Sequence, residues 1–382
     1  MGKNGSRVSS NNSIKQMKIV FLTHNIKHHN GGGVFSRALI DGLSSRPEVK
    51  VSVCVSVSSG FLGEHILRLG FLGFFANIIT IRKIIRDADI IHAIDVFPYG
   101  ILAVCASYGL KKPIVITAVG SGSILPLYAW HLKLFAVYAL HYASALTAIS
   151  DFVKREILKK VPGLAIDVIY PGISEAWMSA VPKVSSRLQK YKPYILTVGS
   201  LRWRKGFEAS IPAFAKVKKT FPSLRYVIVG KKHNEIMYKR IFDCIAMHNL
   251  RGSVHVLELV DSEEELRALY QNAELFLLLS RNAGHDVEGF GMVFLEAASQ
   301  GLSVIGSRDC GVEDAMIDGK NGFLVHEKNI DEAAEATLRI LQNGELKKRF
   351  SEESRKFAKN FLWDDKILEY ERVYKRITSQ SL

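Results

Sequence analysis

Two glutamates with seven residues between them, Glu288 and Glu296, stand in the segment SRNAGHDVEGFGMVFLEAASQG spanning residues 280–301. The β-type run ELFLLL (274–279) feeds a glycine-containing loop, and a helical run begins near Gly291. This order puts Glu288 in the loop and Glu296 more than one turn inside the helix, so the two carboxylates would serve different ends of one ligand. The amides of Gly289, Phe290, Gly291 and Met292 at the helix start suit a phosphate, because unpaired N–H groups and the helix dipole both favour negative charge there. A carboxylate such as Glu296 accepts two hydroxyl hydrogen bonds, which fits a ribose. Acidic residues also flank helix starts with no ligand at all, and paired carboxylates serve glycoside hydrolysis as well. Gly289 and Gly291 directly after Glu288, with a strand before them, favour the ligand-binding reading.

A second constellation lies in VGSLRWRKGF (198–207), where a strand ends at Gly199 and Arg204-Lys205-Gly206 opens the next helix. Arginine grips phosphate oxygens bidentately and lysine adds a point charge, so the pair would stabilise the charge that develops on a departing diphosphate. Arg202 is a rival for the arginine role, and a solvated basic loop is the plain alternative. No DxD-type acidic cluster suggests a metal. The run HHNGGGVFSRAL (28–39) follows the first strand, and its glycines would let backbone approach a ligand closely or simply make a tight turn. His24, His92 and His285 are candidate cleft residues, although a lone histidine is more often structural. Cys54, Cys105, Cys244 and Cys310 are far apart without metal-ligand or CxxC spacing and read as reduced buried thiols.

The segment from Glu288 to Glu296 resembles the retaining glycosyltransferases of the GT-B fold, family four, whose signature is Glu, seven residues, Glu with an EGFG-type loop. The resemblance implies that Glu288 contacts the transferred sugar near the reacting carbon and that Glu296 holds the ribose. It also implies a diphosphate gripped by the basic pair, and VGSLRWRKG is similar to the family's VGRL...KG stretch with Lys205 at the lysine. Ser200 replaces the usual early arginine there, and Arg204 is the substitute. Similar glycine loops close over the diphosphate from the first domain, a role carried to Gly32 and Gly33. Val260 and Asp261, in HVLELVDSEEEL, resemble the segment whose backbone meets the base, beside the simpler reading of a strand-to-helix turn capped by Asp261 or Ser262. In TAVGSGS (117–123) many relatives have a histidine near the sugar where this chain has Val119, a departure on the acceptor side. The likeness runs from Met17 to about Trp363.

Short β-branched runs alternate with longer amphipathic ones along the whole chain, the pattern of parallel sheets wrapped by helices. Strands are expected at 17–23, 49–56, 89–93, 113–117, 145–149 and 165–170, then at 194–199, 225–230, 253–258, 274–279, 302–306 and 323–325. The stretch after Pro171-Gly172, with Pro182 and Pro193, marks the joint. The expected organisation is a polar leader over 1–16, an acceptor-binding Rossmann-like domain over 17–180, a nucleotide-sugar-binding one over 194–360, and a helix over 361–382. That helix carries Trp363, Ile367, Tyr370 and Tyr374 on one face and returns to the first domain. The fold class is α/β, with two facing doubly wound parallel sheets and a cleft at their carboxyl ends.

The formal charge of +14 is uneven: residues 1–193 hold 23 Lys and Arg against 10 Asp and Glu, and the remainder 28 against 27. A basic first half points to an anionic partner. A nucleic acid is disfavoured, since aromatic-basic interleaving and any recognised binding module are missing. The uncharged run 69–81, followed by Arg82, Lys83 and Arg86, is too short to cross a bilayer, and Pro126, His131, Lys133 and His141 interrupt the apolar run 124–149. Both read as helices that cover the sheet or lie on a membrane surface. The expected activity is metal-independent, cofactor-free hexosyl transfer from a UDP- or GDP-sugar to a lipid-linked or polysaccharide acceptor, in the cytoplasm or at the inner face of its membrane. A sugar-nucleotide epimerase or a phosphorylase on the same two-domain plan is the alternative.

Overall fold

The computed structural model describes residues 16–27, 31–58, 60, 64–68, 70–179, 189–258, 260 and 262–379. The expected leader (all but Gln16), Pro182 of the joint and Asp261 lie outside them.

Two parallel sheets form. The first contains β1 (Met17–Thr23), β2 (Val49–Val55), β3 (Glu64–Ile66), β4 (Ile90–Ile94), β5 (Ile114–Ala118), β6 (Ala145–Ala148) and β7 (Ile166–Val168), in the order β3-β2-β1-β4-β5-β6-β7. The second contains β8 (Tyr194–Val198), β9 (Arg225–Val229), β10 (Val254–Leu257), β11 (Phe276–Leu277), β12 (Val304–Ser307) and β13 (Gly322–Val325), in the order β10-β9-β8-β11-β12-β13. The central strands are continuous apolar runs because helices cover both faces of a parallel sheet. Ile19, for instance, sits opposite Val51 on one side and Ile90 on the other, all three in the interior or at its margin. All twelve expected strands are present to within two residues at their ends. The unexpected β3 is a three-residue edge strand, Glu-His-Ile, too short to show an alternation.

In each sheet the chain winds outward from its first strand and returns beside it, so the order reverses between β1 and β4 and again between β8 and β11. Open α/β sheets bind ligands outside the carboxyl ends of strands at such a reversal. The connections that follow β1, β8 and β11 carry the glycine run, the Arg204-Lys205 pair and Glu288.

The chain crosses between the sheets twice, and the crossings lie side by side: the Ile173 amide donates to the Phe361 carbonyl at 2.6 Å and the Trp363 amide to the Ile173 carbonyl at 3.1 Å. The last helix, Trp363–Ser379, then returns to the first sheet with Ile367, Tyr370, Val373, Tyr374 and Ile377 buried. One hydrophobic core runs from the first sheet to the near face of the second, and a separate one fills the second sheet's far face.

Candidate active site

Glu288 sits after β11, buried with 7% of its surface exposed. Its carboxylate accepts from the Arg204 guanidinium at 2.6 Å, from the Lys205 ammonium, and from the Ser280 hydroxyl at 3.1 Å. The loop after β8 delivers both cations: Trp203–Lys205 form a single 3₁₀ turn, and Gly206 then starts the helix Phe207–Thr220. Gly206 is left-handed (φ 66°), and a Cβ there would collide with the Leu279 carbonyl oxygen, so the turn needs glycine. Burial by itself would raise the Glu288 pKa, but the charges of Arg204 and Lys205 and their hydrogen bonds overcome it and hold the carboxyl at about 2. Glu288 in turn raises the pKa of Arg204. Burial lowers that of Lys205, with Glu288 opposing. The cluster is a buried carboxylate, ionised at any physiological pH, held between Arg204 and Lys205.

The helix Met292–Ser299 follows, with Gly291 as its left-handed cap. Gly289, Phe290 and Gly291 are buried, and the amides of these residues and of Met292 meet no acceptor among the described residues. Buried donors without acceptors are costly unless a ligand or water completes them. Glu296, on the second turn, accepts from the Tyr270 hydroxyl at 2.8 Å. Burial, with Glu263 adding to it, pushes its pKa up to about 7 against that hydrogen bond and the attraction of Lys205. Lys205 thus acts on both glutamates. Val260 is half-buried against the core beside Ser262, and Ser262 is the residue that caps the helix Glu263–Asn272, accepting from the Glu265 amide at 3.1 Å.

The first domain meets this loop directly. The Ser150 hydroxyl donates to the Gly289 carbonyl at 2.5 Å, the Ser121 hydroxyl donates to Asp286 at 2.7 Å, and the Val287 amide donates to Ser121 at 3.0 Å. A side chain at Gly289 would collide with the Val119 carbonyl oxygen, so glycine permits backbone to touch backbone across the cleft. His285 stacks on Tyr128 with ring centroids 3.3 Å apart, and the Lys160 ammonium lies 4.1 Å from the centre of the Tyr128 ring. Val119 itself is fixed by Asp95, which accepts from the Val119 amide at 3.1 Å and the Ser123 hydroxyl at 2.8 Å. Asp95 holds a positive φ of 74°, a conformation that costs free energy in a non-glycine residue and recurs at functional sites.

The glycine run differs from its expected place. Gly31–Gly33 are the first turn of the helix Gly31–Ser44 rather than a loop ahead of it, and Gly33 packs against the Lys27 carbonyl and the Asn25 side chain. Gly32 is exposed at that helix start. His24, exposed at the end of β1, lies 3.3 Å from the Tyr99 hydroxyl, which is 2.7 Å from that of Ser56. His92 is no cleft residue: it is fully buried within the first domain, with Nδ1 2.6 Å from the Tyr374 hydroxyl and Nε2 2.7 Å from the Thr117 hydroxyl, and burial depresses its pKa to about 3. Arg202 stays off the Glu288 cluster and lines a groove with Trp203, His233 and Arg240.

Ser280, Tyr270, Ser121, Ser150 and Asp95 join the site without having been singled out in the sequence. Ser280 stands at the end of a recognisable strand, so its proximity to Glu288 was open to inference. Tyr270 reaches Glu296 across 26 positions, and Ser150 reaches Gly289 across 139, pairings that no local spacing encodes. Among the described residues no three His, Cys, Asp or Glu side chains gather as metal ligands.

Known proteins are similar to this chain in sequence and in fold. Residues 29–177 match the model of Glycosyltransferase Family 4, and residues 182–357 match that of Glycosyl transferases group 1. An uncharacterized glycosyltransferase of Methanocaldococcus jannaschii is 25% identical over 319 residues, 82% of this chain and 84% of that protein. The GDP-mannose-dependent alpha-(1-6)-phosphatidylinositol monomannoside mannosyltransferase of Mycobacterium tuberculosis is 28% identical over 190 residues, 47% of this chain and 48% of that one. Among solved structures, Anabaena HepE in complex with UDP superposes with a TM-score of 0.80 at 19% identity, covering 94% of this chain and all of that one, 100%.

Proposed function

Since the chain belongs to the family 4, group 1 glycosyltransferases and is a hexosyltransferase of the GT-B fold, we propose that it transfers a hexose, with retention and without a metal, from a UDP- or GDP-sugar to a lipid-linked or polysaccharide hydroxyl. The observation that carries this reading is the convergence of Arg204 and Lys205 on Glu288. Two cations held against one carboxylate are pre-ordered and desolvated. A diphosphate, carrying more charge and more acceptor oxygens, would compete for them and release Glu288 toward the sugar.

The donor's ribose hydroxyls then bond Glu296, its base lies along the backbone at Val260, and its phosphates meet Arg204, Lys205 and the amides of Gly289, Phe290, Gly291 and Met292. Gly32 and Gly33 close from the other domain. The acceptor hydroxyl attacks the anomeric carbon on the face from which the nucleotide leaves. The bond from that carbon to the phosphate oxygen breaks, the bond to the acceptor oxygen forms, and the leaving phosphate takes the acceptor's proton. Glu288 orients the sugar and opposes the positive charge that grows on its ring. Positive charge on Arg204 and Lys205 takes the part that a metal plays elsewhere, and no cofactor is involved.

The basic first half supports an anionic or lipid-linked acceptor at the inner face of the cytoplasmic membrane. The similarity to a protein named for a phosphatidylinositol mannoside acceptor points the same way. No helix among the described residues is long and apolar enough to cross a membrane.

Thermal stabilisation tests the donor reading. With EDTA throughout, one of UDP, GDP or their sugars at a hundred times its dissociation constant should add about 2.7 kcal/mol of stability. Glu296→Ala should weaken that effect. No shift with any nucleotide, or a shift only when divalent metal is restored, contradicts the reading.

A further inference from the structure

The winding order places the helices Phe71–Ile85, Ile101–Ser107 and Lys133–Tyr142 on one face of the first sheet. Their connections run successively from β3 to β4, β5 and β6, and right-handed crossovers in one direction fall on one side. The middle helix is short and largely buried. Arg82 of the first fastens it there, donating to the carbonyls of Ala106 at 2.9 Å and Tyr108 at 2.7 Å.

The outer two helices turn large apolar side chains to solvent. Leu72 (83% exposed) and Ile79 project from the first, Trp130 (89%) stands just before the second, and Leu134 (80%), Phe135 and Tyr138 project from it. Large apolar side chains exposed together along a helix and just before it, as Trp130, Leu134, Phe135 and Tyr138 are, mark an interaction site. Two features say what covers it. From Arg68 to Arg86 and again from Val96 to Ser150 the chain contains no Asp or Glu, while Arg68, Lys83, Arg86, Lys111, Lys112 and Lys133 lie within these runs; Asp87, Asp89 and Asp95 stand in the stretch between them. A protein partner would need its charges matched by both signs, whereas a surface of one sign with Trp and Tyr at its edge matches an anionic lipid headgroup layer.

We propose that this face, centred on Trp130, Leu134, Phe135 and Tyr138, is where the protein lies on an anionic bilayer. The proposal deepens the acceptor reading above by naming the surface through which a lipid-linked acceptor would arrive. Trp130 is two residues from Tyr128, which stacks on His285 in the loop that carries Glu288. Two residues of extended chain span about 7 Å at most, so the docking face begins at the mouth of the cleft. An acceptor headgroup can enter the cleft while its lipid stays in the membrane.

Co-sedimentation with phosphatidylcholine vesicles, with and without phosphatidylglycerol, tests this on the full chain. Wild type should bind the phosphatidylglycerol vesicles and release as salt rises. Trp130→Ser and Leu134→Ser should each weaken binding about tenfold, and Lys133→Glu less. These side chains are exposed, so nucleotide stabilisation should stay at the wild-type level and verify folding. Equal partition of wild type and Trp130→Ser/Leu134→Ser onto the anionic vesicles overturns the proposal. So does a wild type that ignores vesicles and forms a dimer that the double variant dissolves. Vesicle binding without any nucleotide response would leave the docking face standing and remove the transferase chemistry instead.

Discussion

The two rims of the cleft are built on different principles. On the second domain's rim, Glu288 and Lys205 are buried, Arg204 is half-buried, both cations pair with Glu288, and Lys205 also acts on Glu296. On the first domain's rim the groups that meet the Glu288 loop are uncharged: the hydroxyls of Ser121 and Ser150 and the Val119 carbonyl. Half-buried Asp95 holds the Val119 loop, and desolvation raises its pKa. In the transfer proposed above, charge holds the leaving diphosphate and backbone shape admits the acceptor hydroxyl.

That contrast is most exposed to Glu288→Gln. Losing the carboxylate should cost transfer about 10³-fold, the scale of a lost charge-stabilising group, while nucleotide still binds. A steady-state rate measurement beside nucleotide stabilisation checks it, and a variant impaired equally in both would blur the distinction between the rims.

A smaller loss, about 10²-fold, is expected from Gly289→Ala, whose methyl group meets the Val119 carbonyl and keeps the rims from closing to reacting distance. Nucleotide stabilisation should fall less than transfer does, since the added methyl group leaves the Gly289 amide in place. An unimpaired Gly289→Ala enzyme would mean that this contact is not part of the working conformation.

The pH dependence carried by Glu296 is the mildest effect. Its carboxyl is raised from an ordinary 4.5 to about 7, so the folded protein holds a proton that the unfolded chain gives up earlier. Folding stability therefore declines as pH rises between those values. Ribose hydroxyls need the carboxylate as acceptor, so nucleotide affinity should rise as pH passes through about 7. Glu296→Gln should bind more weakly and without that rise. Titration calorimetry at pH values on either side of 7 reads both, and a parallel pH profile in the two proteins would show that Glu296 does not touch the nucleotide.

The same difference between the rims explains what the sequence disclosed. Paired charges travel with short motifs: Glu288 with its glycines, and Arg204-Lys205 at a strand end, are contiguous enough to read. The strands were legible for a related reason, since a parallel sheet buried on both faces requires β-branched runs whatever else the chain does. The first rim has no such signature. Ser150 meets Gly289 only because β6 and β11 end at facing edges, and Asp95 matters through a backbone angle that its residue type does not announce. The glycine run read as a loop because three glycines weaken a helix, but Gly33 is required by the nearness of the Lys27 carbonyl and the helix begins there regardless. His92, equally suggestive by type, is consumed in fastening the C-terminal helix to the first sheet.

The central claim is that Arg204 and Lys205 hold the donor diphosphate and that Glu288 occupies them until it arrives. Calorimetric titration of the stabilising nucleoside diphosphate into wild type, Lys205→Met and Glu288→Gln tests it most directly. The account predicts opposite signs: at least about tenfold weaker binding for Lys205→Met, from the loss of a charge-assisted phosphate contact, and unchanged or tighter binding for Glu288→Gln, from the loss of a competitor. Equal weakening in both variants, or no weakening in Lys205→Met, would contradict it.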